Sequence, residues 1–216
     1  MAAVEKPKPE LPKTERPLPV SWLILLGSTG WSTFQLWWWF FPGKDRTPSF
    51  ELYGPLVKEG DWWRVLLTCF EHANPVHLVF NLSAVWTIGR VLEFAVGSFR
   101  FAVTSMVGAL GSAAFILYFD FARPTVGVSG VILAWAGAML PIATRYGRWA
   151  IGLWLAQVLV ISFFPGISWA GHLGGFLVGL PCGWAMRGSP ERFGYAAPAL
   201  LLVPGVLVWL AGSGRI

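Results

Sequence analysis

The feature that most constrains this chain is a series of long apolar blocks separated by charged residues, prolines and glycines. A helix needs about 20 mainly apolar residues to cross a bilayer. Blocks near that length lie at approximately residues 20–41, 66–89, 101–121, 127–144, 149–165, 167–186 and 195–211. Only 12% of the residues are charged, against about 25% in an average soluble domain. We therefore expect an all-α polytopic membrane protein embedded in a lipid bilayer.

The blocks divide the chain into three parts. Residues 1–19 are rich in proline and charge and lack apolar periodicity, which predicts a disordered cytoplasmic tail. Residues 20–187 contain the first six blocks and form the expected transmembrane core, with an external loop at 42–65. Residues 188–216 supply a linker and a predicted seventh transmembrane helix.

The basic residues indicate an orientation in the membrane. With a cytoplasmic N-terminus, ten Lys and Arg residues lie inside and six outside, and four of those six belong to the long external loop. Cytoplasmic loops carry the positive excess, so this orientation is favoured. The same bias accounts for the net charge of +5, and no nucleic-acid partner is expected. The second, fourth and sixth blocks then enter the membrane from its outer face.

Polar side chains early in these three blocks meet at one depth. His77 and Asn81 are four residues apart in the second block and so share a helix face. Ser129 opens the fourth block, and His172 lies about five residues into the sixth, in "SWAGHLGGFLVG", roughly 8 Å deep at 1.5 Å per residue. Ionisable residues are rare inside membranes and mark functional sites.

Small residues recur every fourth position in the fourth and sixth blocks. The two stripes are Gly130, Ala134 and Ala138, and Gly171, Gly175 and Gly179. Such stripes let helix backbones approach closely in a membrane. If the stripes face each other, Ser129 and His172 begin the same interface from the same side.

A hydroxyl beside an imidazole base is the minimal activated nucleophile for acyl transfer. Ser129 is the candidate nucleophile and His172 the candidate general base. Acyl transfer also needs donors to the developing oxyanion, and the candidates are the His77 ring, the Asn81 amide and the Ser129 backbone N–H. Gly127, lacking a side chain, would allow a substrate backbone to approach.

A carboxylate to orient the imidazole is not evident. After residue 93 the chain has only two acids, Asp120 and Glu191, and Glu191 lies on the cytoplasmic side. Asp120, at the outer end of the third block, stays a candidate. The pattern favours a Ser–His dyad whose imidazole is oriented by packing or by a backbone or hydroxyl partner.

Three separated motifs resemble those of the rhomboid family of intramembrane serine proteases. "HLVFN", "GVSG" and "GHLGGFLVG" are similar to the family's HxxxN, GxSG and AHxxGxxxG, in the same order and in alternate spans. The segment "EGDWWRVLLTCFEHANPVHLVFN" resembles the family's Trp-Arg loop, with Trp63 and Arg64 at the motif positions. The resemblance covers roughly residues 50–187. Gly171 stands where the family usually has alanine.

The resemblance implies a rhomboid-like six-helix bundle with an additional C-terminal seventh helix. It implies Ser129 as nucleophile, His172 as general base, and an oxyanion hole of His77, Asn81 and the Ser129 amide. Trp63 and Arg64 would stabilise the external loop. It implies no cofactor and no metal, and substrates that are single membrane-spanning helices cleaved near their outer end. The compact loops and the lack of an organelle-like presequence favour a bacterial inner membrane.

Two other functions are compatible with a polytopic membrane chain. A non-catalytic rhomboid-like binder of transmembrane helices, a pseudoprotease, typically lacks the serine or the histidine, and both are present here. A small transporter using the histidines as a proton relay predicts ionisable residues at several depths and an inverted repeat. The histidines here are confined to the outer half, and no such repeat is evident.

Overall fold

The structure, a computed structural model, describes residues 17–40 and 49–215. Within those residues the regular secondary structure is helical. The helices are α1 Pro19–Phe40, α2 Gly54–Lys58, α3 Arg64–Leu67, α4 Pro75–Val96, α5 Ser98–Phe119, α6 Ser129–Ile142, α7 Arg145–Ser162, α8 Trp169–Met186 and α9 Pro190–Gly212. A 3₁₀ turn follows α3 at Thr68–Phe70, and α4 contains a π-helical turn at Val85–Gly89.

By length and composition, α4, α5 and α9 are each able to cross a membrane, and α6 is a shorter apolar helix. The expectation of an all-α membrane protein is confirmed. The predicted tail at 1–19 lies mostly outside the described residues, and residues 42–48 of the predicted external loop lie entirely outside them. The division of the chain into tail, core and C-terminal helix stays a prediction.

The second apolar block starts its helix later than hydropathy suggests. The helix begins at Pro75, where Asn74 accepts a hydrogen bond from the His77 N–H at 2.9 Å. An asparagine N-cap followed by proline is a strong helix start. Residues 66–70, at the start of the predicted block, are mainly apolar but belong to α3 and the 3₁₀ turn that precede α4. Hydropathy reports apolar content and not helix continuity.

Helix α6 lies at the centre of the bundle. Every residue from Gly130 to Ala138 is buried. The fully buried Trp135 packs on Phe101, with ring centroids 4.8 Å apart, and its indole N–H donates to Ser105 Oγ at 2.9 Å. Since α6 is enclosed by protein, its position is fixed by its neighbours and not by lipid.

The backbones of α6 and α8 are in direct contact. A Cβ added at Gly175, Gly179 or Gly183 of α8 would overlap a backbone carbonyl of α6, at Gly130, Ala134 and Ala138 respectively. Gly171 faces α5 instead, where a Cβ would lie 2.9 Å from Ile116 Cδ1 and 3.0 Å from Ser112 Oγ. This close approach brings together the first turns of α6 and α8.

A buried carboxylate joins α4 to the start of α1. Glu93 is 1% exposed, and its two oxygens accept hydrogen bonds from the backbone N–H groups of Val20, at 3.1 Å, and Ser21, at 2.8 Å. These N–H groups have no partner within their own helix, and a negative charge is favourable at a helix N-terminus. Glu93 therefore caps α1 from another helix.

We expect Glu93→Ala to lower the free energy of unfolding by about 2–3 kcal/mol, because it leaves two N–H groups at the α1 terminus without an acceptor. The measurement is denaturant or thermal unfolding in detergent micelles. Glu59→Ala, an exposed acid just after α2, is the control and should unfold as wild type. Equal midpoints for the two variants would contradict the capping role.

Candidate active site

Arg64 binds the backbone of the external loop. Its Nη1 donates to the carbonyl oxygens of Ser49, at 2.9 Å, and Glu51, at 3.1 Å, while its Nε pairs with Asp61 at 2.9 Å. Trp63 lies on the surface, 42% exposed, with its indole N–H donating to Asp61 at 3.2 Å. Arg64 thus hydrogen-bonds residues 49 and 51 of the external loop to α3. That Trp63 and Arg64 stabilise this loop stays a prediction.

Glu71, which the sequence reasoning did not single out, holds the same segment from the other side. Its buried carboxylate accepts hydrogen bonds from the Ser49 hydroxyl at 3.0 Å and from the Phe50 N–H. The sequence signal was an acid directly before His72 in an apolar block. Residues 49–51 of the external loop are therefore hydrogen-bonded by one cation, Arg64, and one anion, Glu71.

The external loop is also bonded to the segment that precedes α6. Leu52 and Thr125 exchange two backbone hydrogen bonds of 2.8 and 3.0 Å. The Gly127 N–H donates to the Thr68 carbonyl at 3.0 Å, and Gly127 has a φ of +120°, which favours glycine. These bonds set the path of the chain into Ser129.

Ser129 and His172 are hydrogen-bonded partners. Ser129 is the first residue of α6, and His172 lies in the first turn of α8, whose N-cap Ser168 accepts from the Gly171 N–H at 3.1 Å. The distance from Ser129 Oγ to His172 Nε2 is 2.9 Å. Both residues are only partly buried, so the pair is accessible from outside the bundle.

His77 and Asn81 line the space beside Gly127. A Cβ at Gly127 would lie 2.8 Å from His77 Cε1, 3.0 Å from His77 Nε2 and 3.6 Å from Asn81 Nδ2. Asn81 is buried, and its Nδ2 has no hydrogen-bond partner among the described residues. The His77 ring and the Asn81 amide, both from α4, therefore lie next to Gly127, two residues before Ser129.

His72, in the loop before α4, borders this group. Its ring lies edge-on to that of His77, with centroids 5.1 Å apart. Burial, assisted by the neighbouring His77, lowers the pKa of His72 to about 4. His72 is therefore neutral at neutral pH and adds no positive charge beside His77.

The second ring nitrogen of His172 faces a hydroxyl. His172 Nδ1 lies 2.6 Å from Ser162 Oγ, at the last residue of α7. Asp120, the carboxylate considered from the sequence, accepts instead from Ser168 Oγ at 3.4 Å. A hydroxyl partner for the imidazole was one of the alternatives considered from the sequence, but nothing in the sequence indicated which serine would supply it.

An apolar cavity of about 310 Å³ opens beside the imidazole, between α6, α7 and α8. Leu133, Val158 and Leu173 are among its lining residues, and Ser162 and His172 are its polar ones. Among the described residues no cluster of three or more His, Cys, Asp and Glu side chains could hold a metal ion. The site places a hydrogen-bonded hydroxyl and imidazole, Ser129 and His172, next to an apolar space.

Comparison with known proteins places this arrangement in a family. A family model described as the Rhomboid domain matches residues 59–189. The chain is 32% identical over 150 residues to Rhomboid protease GluP of Bacillus subtilis, covering 63% of this chain and 29% of that protein. It is 32% identical over 169 residues to human Rhomboid-related protein 4, covering 66% and 52%. It is 26% identical over 174 residues to Rhomboid protease AarA of Providencia stuartii, covering 64% and 62%.

The matched segment spans from under a third to under two thirds of the length of these relatives. The family model itself covers more than half of this chain and includes the first turns of α4, α6 and α8. The resemblance noted from the three motifs is therefore confirmed, and the chain belongs to the rhomboid family.

Proposed function

We propose that this protein is an intramembrane serine endopeptidase that hydrolyses peptide bonds in or near the transmembrane helices of other membrane proteins. The observation that carries the proposal is the 2.9 Å hydrogen bond between Ser129 Oγ and His172 Nε2. A serine hydroxyl is a weak nucleophile until an adjacent base accepts its proton. Membership of the rhomboid family and the likeness to two bacterial rhomboid proteases support the same activity.

In the acylation step, Ser129 Oγ attacks the carbonyl carbon of the scissile peptide while its proton passes to His172 Nε2. The tetrahedral intermediate collapses, the C–N bond breaks, and the imidazolium returns the proton to the leaving amine. In deacylation, Nε2 takes a proton from water, the hydroxide attacks the ester, and Ser129 Oγ leaves with that proton. Each proton that His172 accepts is returned, so the enzyme is regenerated unchanged.

The oxyanion formed in both steps needs preorganised donors. Three groups are suited to this role: the Asn81 Nδ2, which has no partner among the described residues, the His77 ring, and the Ser129 N–H in the first turn of α6. First-turn N–H groups lack an intrahelical acceptor and carry the positive end of the helix dipole. The absence of a side chain at Gly127 leaves room for the His77 ring, since a Cβ there would lie 2.8 Å from His77 Cε1.

The proposed substrate is a transmembrane helix that unwinds near its outer end. Inside a helix each peptide group is hydrogen-bonded and hidden by side chains, so local unwinding must precede attack at Ser129.

We further propose an N-terminus in the cytoplasm and a location in a bacterial inner membrane. The loop charges support the orientation, and two bacterial relatives support the location.

The test is covalent labelling of the purified protein in detergent by a fluorophosphonate, which reacts with activated serines. We expect wild type to label and Ser129→Ala and His172→Ala to lose labelling. The matched control is Ser83→Ala, an exposed serine of α4 whose hydroxyl bonds the Val79 carbonyl at 2.8 Å. Equal labelling of wild type and Ser129→Ala would overturn the proposal and favour a non-catalytic binder of transmembrane helices.

A further inference from the structure

Ser162 occupies an unusual place at the end of α7. Of the residues of α7, all of which the structure describes, Ser162 is the one that is buried. Its Oγ lies 2.7 Å from the Val158 carbonyl oxygen, one turn earlier, and 2.6 Å from His172 Nδ1. One hydroxyl therefore stands between a carbonyl and the imidazole.

The number of available protons fixes the direction of both hydrogen bonds. A serine hydroxyl has one O–H to donate, and a carbonyl oxygen can only accept. Serines within helices commonly donate to the carbonyl four residues earlier, so the Ser162 proton lies on the bond to Val158. The contact between Ser162 Oγ and His172 Nδ1 is then a hydrogen bond only if Nδ1 carries a proton and donates it.

A neutral imidazole carries its proton on one nitrogen, and the other nitrogen is an acceptor. With Nδ1 protonated, Nε2 has a free lone pair directed at Ser129 Oγ, 2.9 Å away. This is the tautomer that a general base for Ser129 requires. The opposite tautomer would place an N–H against Ser129 and a bare Nδ1 against a hydroxyl whose proton is already in use.

We propose that Ser162 is a positioning residue of this active site: its hydroxyl oxygen holds His172 in the Nδ1–H tautomer, so that Nε2 accepts the proton of Ser129. The inference rests on the proposed function, because it assigns Ser162 a role through the base of that reaction. In many serine hydrolases a carboxylate orients the catalytic imidazole, and here the neutral hydroxyl of Ser162 would do so. Since Asp120 is bonded to Ser168, no carboxylate competes for Nδ1 in the described structure.

The tautomer is measurable without any activity, by ¹⁵N NMR of protein labelled at its three histidines, with His172→Ala used to assign the His172 signals. We expect wild type to show a protonated Nδ1 and an unprotonated Nε2. Ser162→Ala should move the population toward the Nε2–H form. Ser162→Thr should retain the wild-type tautomer, because a threonine hydroxyl makes the same bond to the preceding turn.

The rate of fluorophosphonate labelling gives the second readout. We expect Ser162→Ala to label on the order of 10- to 100-fold more slowly than wild type, since base tautomer and orientation both change. Ser162→Thr should label within about threefold of wild type. Ser83→Ala removes the same kind of hydroxyl-to-carbonyl bond, away from any histidine, and should leave rate and tautomer unchanged.

The possible outcomes separate the two proposals. The role of Ser162 is overturned if Nδ1 is unprotonated in wild type, or if Ser162→Ala keeps the wild-type tautomer and labelling rate. The proposed function stays intact in either case, provided that Ser129→Ala loses labelling. Undiminished labelling in Ser129→Ala overturns both. If Ser162→Ala folds poorly, the wild-type tautomer still tests the inference, because an unprotonated Nδ1 would overturn it.

Discussion

Ser129→Ala is expected to remove cleavage of a membrane-embedded substrate, lowering the rate by a factor on the order of 10⁴ or more. Without Oγ there is no nucleophile to attack the peptide carbonyl and no acyl-enzyme can form. The measurement is the rate of cleavage of a single-span reporter helix, reconstituted with the enzyme in liposomes and followed by gel electrophoresis.

The companion variants sharpen this expectation. His172→Ala should lose a similar factor, because Ser129 then has no base, and the double variant should be no slower than either single one, as expected for groups that act as a unit. Ser83→Ala should cleave as wild type. Additive losses, or cleavage that persists in Ser129→Ala, would show that the two residues do not act together on the substrate.

Gly175→Ala is expected to separate α6 from α8 and to reduce both stability and cleavage. A Cβ at Gly175 would overlap the backbone oxygen of Gly130, and backbone, unlike a side chain, has no rotamer by which to move away. Overpacking of this kind costs about 1–3 kcal/mol. A displacement of about 1 Å between catalytic groups can lower the rate about 100-fold.

The measurements are the unfolding midpoint in detergent and the cleavage rate in liposomes. Gly152→Ala is the matched control, because Gly152 lies inside helix α7 and a Cβ there meets nothing within 4 Å. That control should be as stable as wild type or more stable, since alanine favours helix over glycine by about 1 kcal/mol. If Gly175→Ala had wild-type stability and cleavage, the α6 and α8 backbones would not be in the close contact seen at Gly175 and Gly130.

The helices themselves were largely predictable from apolar content. The predicted fourth block, 127–144, contains α6 at Ser129–Ile142, and the sixth, 167–186, contains α8 at Trp169–Met186. The start of the second block, 66–89, was placed too early, because residues 66–70 are mainly apolar and belong to a partly buried loop. Hydropathy cannot tell burial in protein from burial in lipid, so the N-cap at Asn74 was the better signal.

The partners of the site residues were less accessible from sequence. Ser129 and His172 could be named because each stands alone as a polar residue in an apolar helix, at a depth that the loop charges predict. Ser162 is one of several polar residues of its helix, and serines in helices usually bond their own preceding turn, as this one does with Val158. Nothing local shows that its remaining lone pair points at an imidazole on another helix.

Glu93 illustrates the same limit. Glu93 lies just after the second apolar block, and its partners are the backbone N–H groups of Val20 and Ser21, more than seventy residues away in the chain. Backbone donors leave no trace in the residue types around them. Only the packed bundle shows which helix terminus the carboxylate caps.

By itself, the sequence determined the all-α membrane class and the four-residue spacing of the small residues on α6 and α8. These follow from geometry within one helix, where spacing along the chain fixes direction in space. The tertiary structure decided that Gly175 meets the backbone of Gly130 and that the second nitrogen of His172 meets Ser162. Those contacts depend on the rotation and offset of one helix against another, which packing sets and no single helix encodes.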